Sequence, residues 1–228
     1  MCLEADTILP DSALELSIRY LDAIIEKNLV VNLTRISNPD EALRLHLMDS
    51  LLALPEISIA PAGVLLDLGT GGGFPGVPLC VASGRHGLLL DSIGKKVSAV
   101  NDALFAIGES DRIRAVAMRA ETLAQSSCES FPVVTARAVS SLASLLELAS
   151  PLLKVGGLLV ALKGGPTTDE VAKARAVAKM VGMRQKSVRA CTLPGGEERR
   201  TLIAYEKIGP GTVRLPRRVG MAQKSPLA

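Results

Sequence analysis

Residues 64–76 read V-L-L-D-L-G-T-G-G-G-F-P-G and gather the residue types that hold a nucleotide. Val64, Leu65 and Leu66 form an uncharged run suited to a strand buried on both faces, and the run ends in Asp67. Gly69, Gly71, Gly72 and Gly73 follow, after which Val77, Leu79 and Val81 recur at helical spacing. Glycines let backbone approach a ligand closely, and a helix N-terminus offers unpaired N–H groups at its positive end. A plain tight turn would use the same residues, but the later strand ends favour binding. Asp91 closes the second apolar run, where a carboxylate accepts both ribose hydroxyls or else caps the next helix. Arg119-Ala120-Glu121 follows the third run, offering a backbone N–H and an acid to an adenine edge. Glu121 equally suits the first turn of a helix. The fourth run ends in T-A-R-A at 135–138, and the fork of Arg137 suits a carboxylate, a phosphate or a buried ion pair.

The loop departs from the dinucleotide fingerprint. Counted from Gly69, G-x-G-x-x-G needs a third glycine at position 74, where this chain has Phe74. A ring there suits the wall of a nucleoside pocket more than space for a pyrophosphate. Acid-x-Gly-x-Gly-x-Gly after a first strand resembles the S-adenosyl-L-methionine (SAM) loop of Rossmann-like methyltransferases. The fourth strand end has neither the Asn/Asp-Pro-Pro-aromatic set used on exocyclic amines nor the Pro-Cys pair used on pyrimidine carbon. His46 and His86 are the only histidines, and neither lies near a candidate nucleophile. His46, among helical leucines, reads as packing or capping. With no Ser-His-Asp set and no metal-ligand spacing, neither a catalytic side chain nor a metal is expected.

The elements that must position these residues alternate between two periods. Apolar runs at 64–68, 87–91, 114–118, 132–136 and 158–163 alternate with helical patterns at 75–82, 95–107, 142–153 and 169–181, the signature of βαβ units. Two closing strands, 187–192 and 201–206, join through Pro194-Gly195-Gly196. The pattern predicts an α/β fold of Rossmann-like, SAM-dependent methyltransferase type. Its mostly parallel seven-stranded sheet would carry helices on both faces. Residues 1–60 would form an N-terminal helical extension, 61–208 the methyltransferase domain and 209–228 a basic, extended C-terminal arm. In the extension, Ser12 and Glu15 read as a capping box before Leu14, Ile18, Leu21 and Ile25, and Asn38-Pro39 opens a second helix.

Composition narrows the function. Nearly half the residues are apolar, so the chain is globular, and aromatics make up only 2%. Stacking platforms for single-stranded RNA are therefore excluded as its main device. The net charge of +3 is uneven: residues 1–60 carry four Lys or Arg against ten acids, and residues 189–228 carry eight against three. A basic end implies either a polyanionic partner or a solvated tail. Cys2, Cys80, Cys128 and Cys191 make no C-x-x-C, which suits a reducing cytoplasm, and no apolar run reaches the length of a membrane span.

Taken in order, the motifs resemble the bacterial 16S ribosomal RNA guanine-N7 methyltransferases, the glucose-inhibited division protein B family. They are N-L-T at 32–34, H-L-M-D-S-L at 46–51, D-L-G-T-G-G-G-F-P-G at 67–76 and D-S-I-G-K-K at 91–96. R-A-E at 119–121, V-V-T-A-R-A-V at 133–139, P-L-L-K-V-G-G at 151–157, L-K-G at 162–164 and L-P-R-R-V-G from 215 follow. The resemblance implies SAM-dependent methylation of one guanine N7 in 16S rRNA, either free or in the small ribosomal subunit, by a cytoplasmic monomer. It assigns Gly69, Phe74, Ala120, Glu121 and Arg137 to the cofactor, beside Gly71 and Asp91 from the strand-end reading. It turns Lys163, Arg199, Arg217 and Arg218 toward RNA. Guanine N7 has an in-plane lone pair and no proton, so transfer rests on in-line positioning without a general base. An NAD-dependent oxidoreductase and a non-catalytic RNA-binding protein are the competing readings; Phe74 counts against the first and the intact loop against the second.

Overall fold

Leu65–Leu68 (β1), Gly87–Asp91 (β2), Ile113–Ala117 (β3), Phe131–Arg137 (β4), Leu153–Lys163 (β5), Met183–Thr192 (β6) and Arg199–Lys207 (β7) form one sheet. The structure is a computed structural model that describes residues 9–36 and 38–228. The strand order is β3-β2-β1-β4-β5-β7-β6. The first five strands pair in parallel, and β7 runs antiparallel between β5 and β6. Chain order reverses between β1 and β4, so a crevice opens beyond their carboxyl ends.

Alternation along the strands feeds two apolar layers. Leu65, Leu89, Val133 and Leu158 face one side with the N-terminal helices, and Leu66, Leu90, Val134 and Leu159 face the other. The first layer holds α5 (Gly76–Ser83), α6 (Gly94–Ala106) and α1 (Asp11–Val31) packed on both. The second holds α7 (Ala120–Ser126), α8 (Leu142–Ala149) and α9 (Thr168–Met180).

α1 buries Ala13, Ser17, Tyr20, Leu21 and Ile24, a stripe at helical spacing. Its start differs from the expected capping box. Pro10 occupies the cap position without a side-chain hydrogen bond, and Ser12 falls inside the first turn. Asn38 does cap α2 (Pro39–Ala42), accepting from the Glu41 amide at 3.0 Å. That helix widens into a π turn over Leu43–Met48 before α3 (Asp49–Leu51) and α4 (Leu54–Ser58). The expected helix over 142–153 ends at Ala149, because Pro151 follows. β5 then starts at Leu153 and crosses a bulge opposite Phe131 and Val133. Gly157 fits this bulge because a Cβ there would stand 3.0 Å from the carbonyls of Phe131 and Pro132.

The C-terminal residues pack where an extended arm was expected. Ala222, in α10 (Met221–Lys224), is 2% exposed, and Val213, Leu215 and Leu227 lie on the second apolar layer.

Candidate active site

The glycine loop is held from beneath and behind. Beneath it, Asp67 is fully buried and accepts from the Thr135 hydroxyl at 2.8 Å and the Gly76 amide at 3.1 Å. Burial raises its pKa to about 6, against the opposing pull of these hydrogen bonds and of the Arg137 charge. Behind it, the Tyr20 hydroxyl donates to the Gly72 carbonyl at 2.9 Å. Gly73 has φ +88°, and a Cβ there would fall on that hydroxyl, so only glycine fits.

The first cavity, of about 130 Å³, lies between the loop and the ends of β2 and β3, with Gly69, Asp91, Met118, Ala120 and Gln223 among its walls. Asp91 Oδ2 accepts from the Gly71 amide at 3.0 Å and Oδ1 from the Ile93 amide at 2.9 Å. Each oxygen keeps a further lone pair for a hydroxyl. Asp91 therefore braces the loop and the entry to α6 together. Ala120 opens α7, so its N–H has no partner within the helix. The Glu121 carboxylate is turned to the C-terminal segment, where it accepts from the Gly220 amide at 2.7 Å.

Gly69 also borders a second cavity, of about 210 Å³, lined by Thr34, His46, Gly71, Phe74 and Arg137. His46 stacks on Phe74 with centroids 4.9 Å apart and planes at 11°. Tyr20 meets the same ring edge-on at 5.6 Å, and the Arg137 guanidinium lies 6.0 Å from its centroid. His46 Nε2 is 2.9 Å from the Thr34 hydroxyl. Burial first, and then Arg137, lower its pKa to about 4 despite Asp49, so the ring is neutral at pH 7. His46 is thus packing, as expected, and also cavity wall.

Arg137 opens onto a third cavity of about 440 Å³, shared with Leu45, Asp49, Lys163 and Arg200. Asp49, 3% exposed, accepts from Arg137 at 2.9 Å and from Arg200 at 2.7 Å, one carboxylate bridging two guanidiniums. Arg137 also donates to the Leu45 carbonyl at 2.9 Å. Burial lowers its pKa and Asp49 opposes the shift. Lys163 donates to the Ser140 carbonyl at 3.0 Å and pairs with Glu170 at 2.8 Å.

The expected RNA-facing set is divided. Lys163 lines the third cavity, whereas Arg199 is exposed and Arg200 takes the position facing Asp49. Neighbouring strand residues point to opposite faces, so only one of the two can enter. Arg217 grips Glu147 through two bonds of 2.5 and 2.6 Å, and Glu147 is 3% exposed. Arg218 is exposed. Tyr20, Asp49 and Arg200 were not anticipated. The spacing of Tyr20 in the buried stripe of α1 marks it as core, and nothing local distinguishes it from other core residues.

Among the described residues, no group of three or more His, Cys, Asp or Glu side chains could hold a metal, and no helix is long and apolar enough to cross a membrane. By fold, the chain is similar to a geranyl diphosphate methyltransferase solved with SAM (TM-score 0.58, 15% identity, covering 74% of this chain and 88% of that one). It is similar to the same degree to an O-methyltransferase from Bacillus cereus solved with S-adenosylhomocysteine (TM-score 0.57, 16% identity, covering 82% and 90%). By sequence, it is 37% identical over 213 residues to ribosomal RNA small subunit methyltransferase G of Lactobacillus johnsonii, covering 91% of this chain and 89% of that one. The protein of the same name from Chloroflexus aggregans is 38% identical over 212 residues, covering 92% and 88%. Residues 13–202 match the GidB family model, described as rRNA small subunit methyltransferase G. On this match the chain belongs to the GidB family.

Proposed function

We propose that this protein transfers a methyl group from SAM to N7 of a guanine in 16S rRNA. The observation that carries this reading is the continuity of the crevice. Gly69 borders the first two cavities and Arg137 the second and third, so a cofactor end and an RNA end share one path.

The residues present fit SAM. Asp91 offers lone pairs to ribose hydroxyls, the Ala120 N–H an adenine edge, and Gly69 and Gly71 close backbone approach. Arg137 offers the methionine carboxylate the part of its fork that Asp49 and the Leu45 carbonyl leave open, and its charge lies 6.0 Å from the Phe74 ring centroid. SAM supplies an electrophilic methyl on a sulfonium. Everything left to the chain is positioning, because N7 has a free lone pair and the positive charge only moves from sulfur to purine. A neutral His46 suits that requirement, since it brings no cation to the sulfonium. Lys163, Arg199, Arg200 and Arg218 are the cations offered to phosphate, and the target guanine must be splayed from any A-form stem, whose major groove is too deep to enter. We read the protein as a monomer working in the cytoplasm.

Incubation with tritiated SAM and small ribosomal subunits from cells lacking this methylation tests the reading. Label in the RNA is expected, and its absence would overturn the proposal.

A further inference from the structure

A groove of about 460 Å³ lies between α9 and the β6–β7 edge, away from the crevice, with Arg175, Lys179, Met183, Arg184, Tyr205 and Ile208 among its walls. Met183 and Tyr205, 2% and 1% exposed, form its floor, and Ile208 is an exposed apolar rim. Arg175 and Lys179 are one turn apart on α9, both exposed, and neither makes an ion pair with a described residue. Arg184 shares Glu206 with Lys186. The Tyr205 hydroxyl has no hydrogen-bond partner among the described residues. Burial raises the pKa of this phenol, with the Arg175 charge pulling against the shift and Glu170 adding to it. This hydroxyl is not sealed in the core, so it can bond a ligand in the groove.

The C-terminal segment connects this groove to the crevice. It leaves β7 beside the groove, where the Ile208 amide donates to Gly182 at 2.9 Å and the Thr212 amide to Met180 at 2.7 Å. It then crosses α8 at Arg217–Glu147 and α7 at Gly220–Glu121, and ends with Gln223 on the wall of the first cavity. Arg214 and Arg218 are exposed along it. The result is a line of cations from groove to crevice on one layer of the fold.

Resting on the function proposed above, we infer that the groove binds one nucleotide of single-stranded RNA flanking the methylated site. The phosphate meets Arg175 and Lys179, the base lies on Met183 and Ile208, and the Tyr205 hydroxyl bonds the base edge or ribose. A cationic rim holds the phosphate of a strand without reading its sequence, and the apolar floor gives the base van der Waals contact in place of an aromatic platform.

The test is the double variant Arg175→Glu with Lys179→Glu, titrated with a fluorescein-labelled single-stranded oligoribonucleotide over a range of salt. The Kd is expected to rise about tenfold and the salt slope to fall by about 0.7, the share of one phosphate contact on a single strand. SAM affinity and Tm should stay unchanged, since both side chains are exposed and outside the cofactor cavities. Unchanged Kd and slope would overturn the inference. So would binding of AMP that the variant abolishes while oligoribonucleotide binding persists, which marks a free-nucleotide site. Loss of subunit binding alone, with the oligoribonucleotide still bound, would point to a ribosomal protein and would also overturn it. Methyl transfer by the unaltered protein, measured in the same preparation, separates failure of the groove from failure of the function.

Discussion

The hydroxyl of Tyr20 donates a 2.9 Å hydrogen bond to the carbonyl of Gly72, 52 residues further along the chain. Through that bond the first helix fixes a loop that belongs to the first strand. Tyr20 also meets Phe74 edge-on, so one side chain sets both the backbone and the ring of the second cavity. Tyr20→Phe keeps the ring and removes the bond. It should cost about 1 kcal/mol of stability, with a several-fold weaker Kd for SAM. Thermal unfolding and calorimetry check this, and an unchanged SAM affinity would detach the first helix from cofactor binding.

Asp49 bridges Arg137 and Arg200. Asp49→Ala leaves two guanidiniums facing each other with one largely buried, and should cost about 3–5 kcal/mol. Arg137→Ala leaves Asp49 its second partner and should be milder in denaturant, yet weaken SAM binding about tenfold through the lost carboxylate contact. Urea unfolding beside calorimetry separates the two. Equal SAM affinities for Arg137→Ala and the unaltered protein would remove Arg137 from the cofactor.

Asp67 and His46 oppose each other in pH dependence. The folded pKa of Asp67 is raised, from 3.8 to about 6, so its contribution is full below pH 3.8 and is lost as pH rises through about 6. That of His46 is lowered, from 6.5 to about 4, so its contribution is full above pH 6.5 and is lost as pH falls through about 4. Between pH 4 and 6.5 the two largely cancel. Asp67→Asn should leave stability that falls as pH falls across this window, and His46→Gln should leave stability that rises. Urea midpoints taken at several pH values check the signs, and slopes of the same sign in both variants would refute the pairing.

Arg217 and Arg218 are adjacent and should separate cleanly. Arg217→Ala strands the buried Glu147 carboxylate and loosens the segment carrying Gly220 and Gln223. It should cost on the order of 2 kcal/mol and weaken SAM binding as well as RNA binding. Arg218→Ala should leave Tm and SAM affinity intact and weaken RNA binding alone. RNA affinity measured beside Tm distinguishes them, and identical profiles would contradict the division.

Much of the fold was legible because βαβ units announce themselves by period. Five parallel strands fell within about two residues of expectation, apart from the early start of β5, where bulged residues hide the alternation. The π turn over Leu43–Met48 carries no local signature, yet it contributes His46 to the second cavity. Among the cavity-lining residues, Gly69, Gly71, Asp91 and Ala120 were readable because each lies at the end of a strand or within three residues after it. Tyr20, Asp49 and Arg200 were not, because they arrive from elements far along the chain and act through pairing. Choosing Arg200 over Arg199 requires the register of β7 on β5, which pairs Leu202 with Leu162 on the face of the N-terminal helices and so puts Arg200, two residues before Leu202, on the side of Asp49. The C-terminal segment read as a basic, extended arm because its cations hide Leu215 and Ala222, the residues that dock it.

The most direct measurement of the account is the identity of the modified nucleoside. Small-subunit RNA from reactions with and without the protein is digested to nucleosides and resolved by mass spectrometry. The account predicts that 7-methylguanosine alone accumulates, and only when SAM is present. A methyl group on another base, on a ribose hydroxyl, or nowhere in the RNA would contradict it.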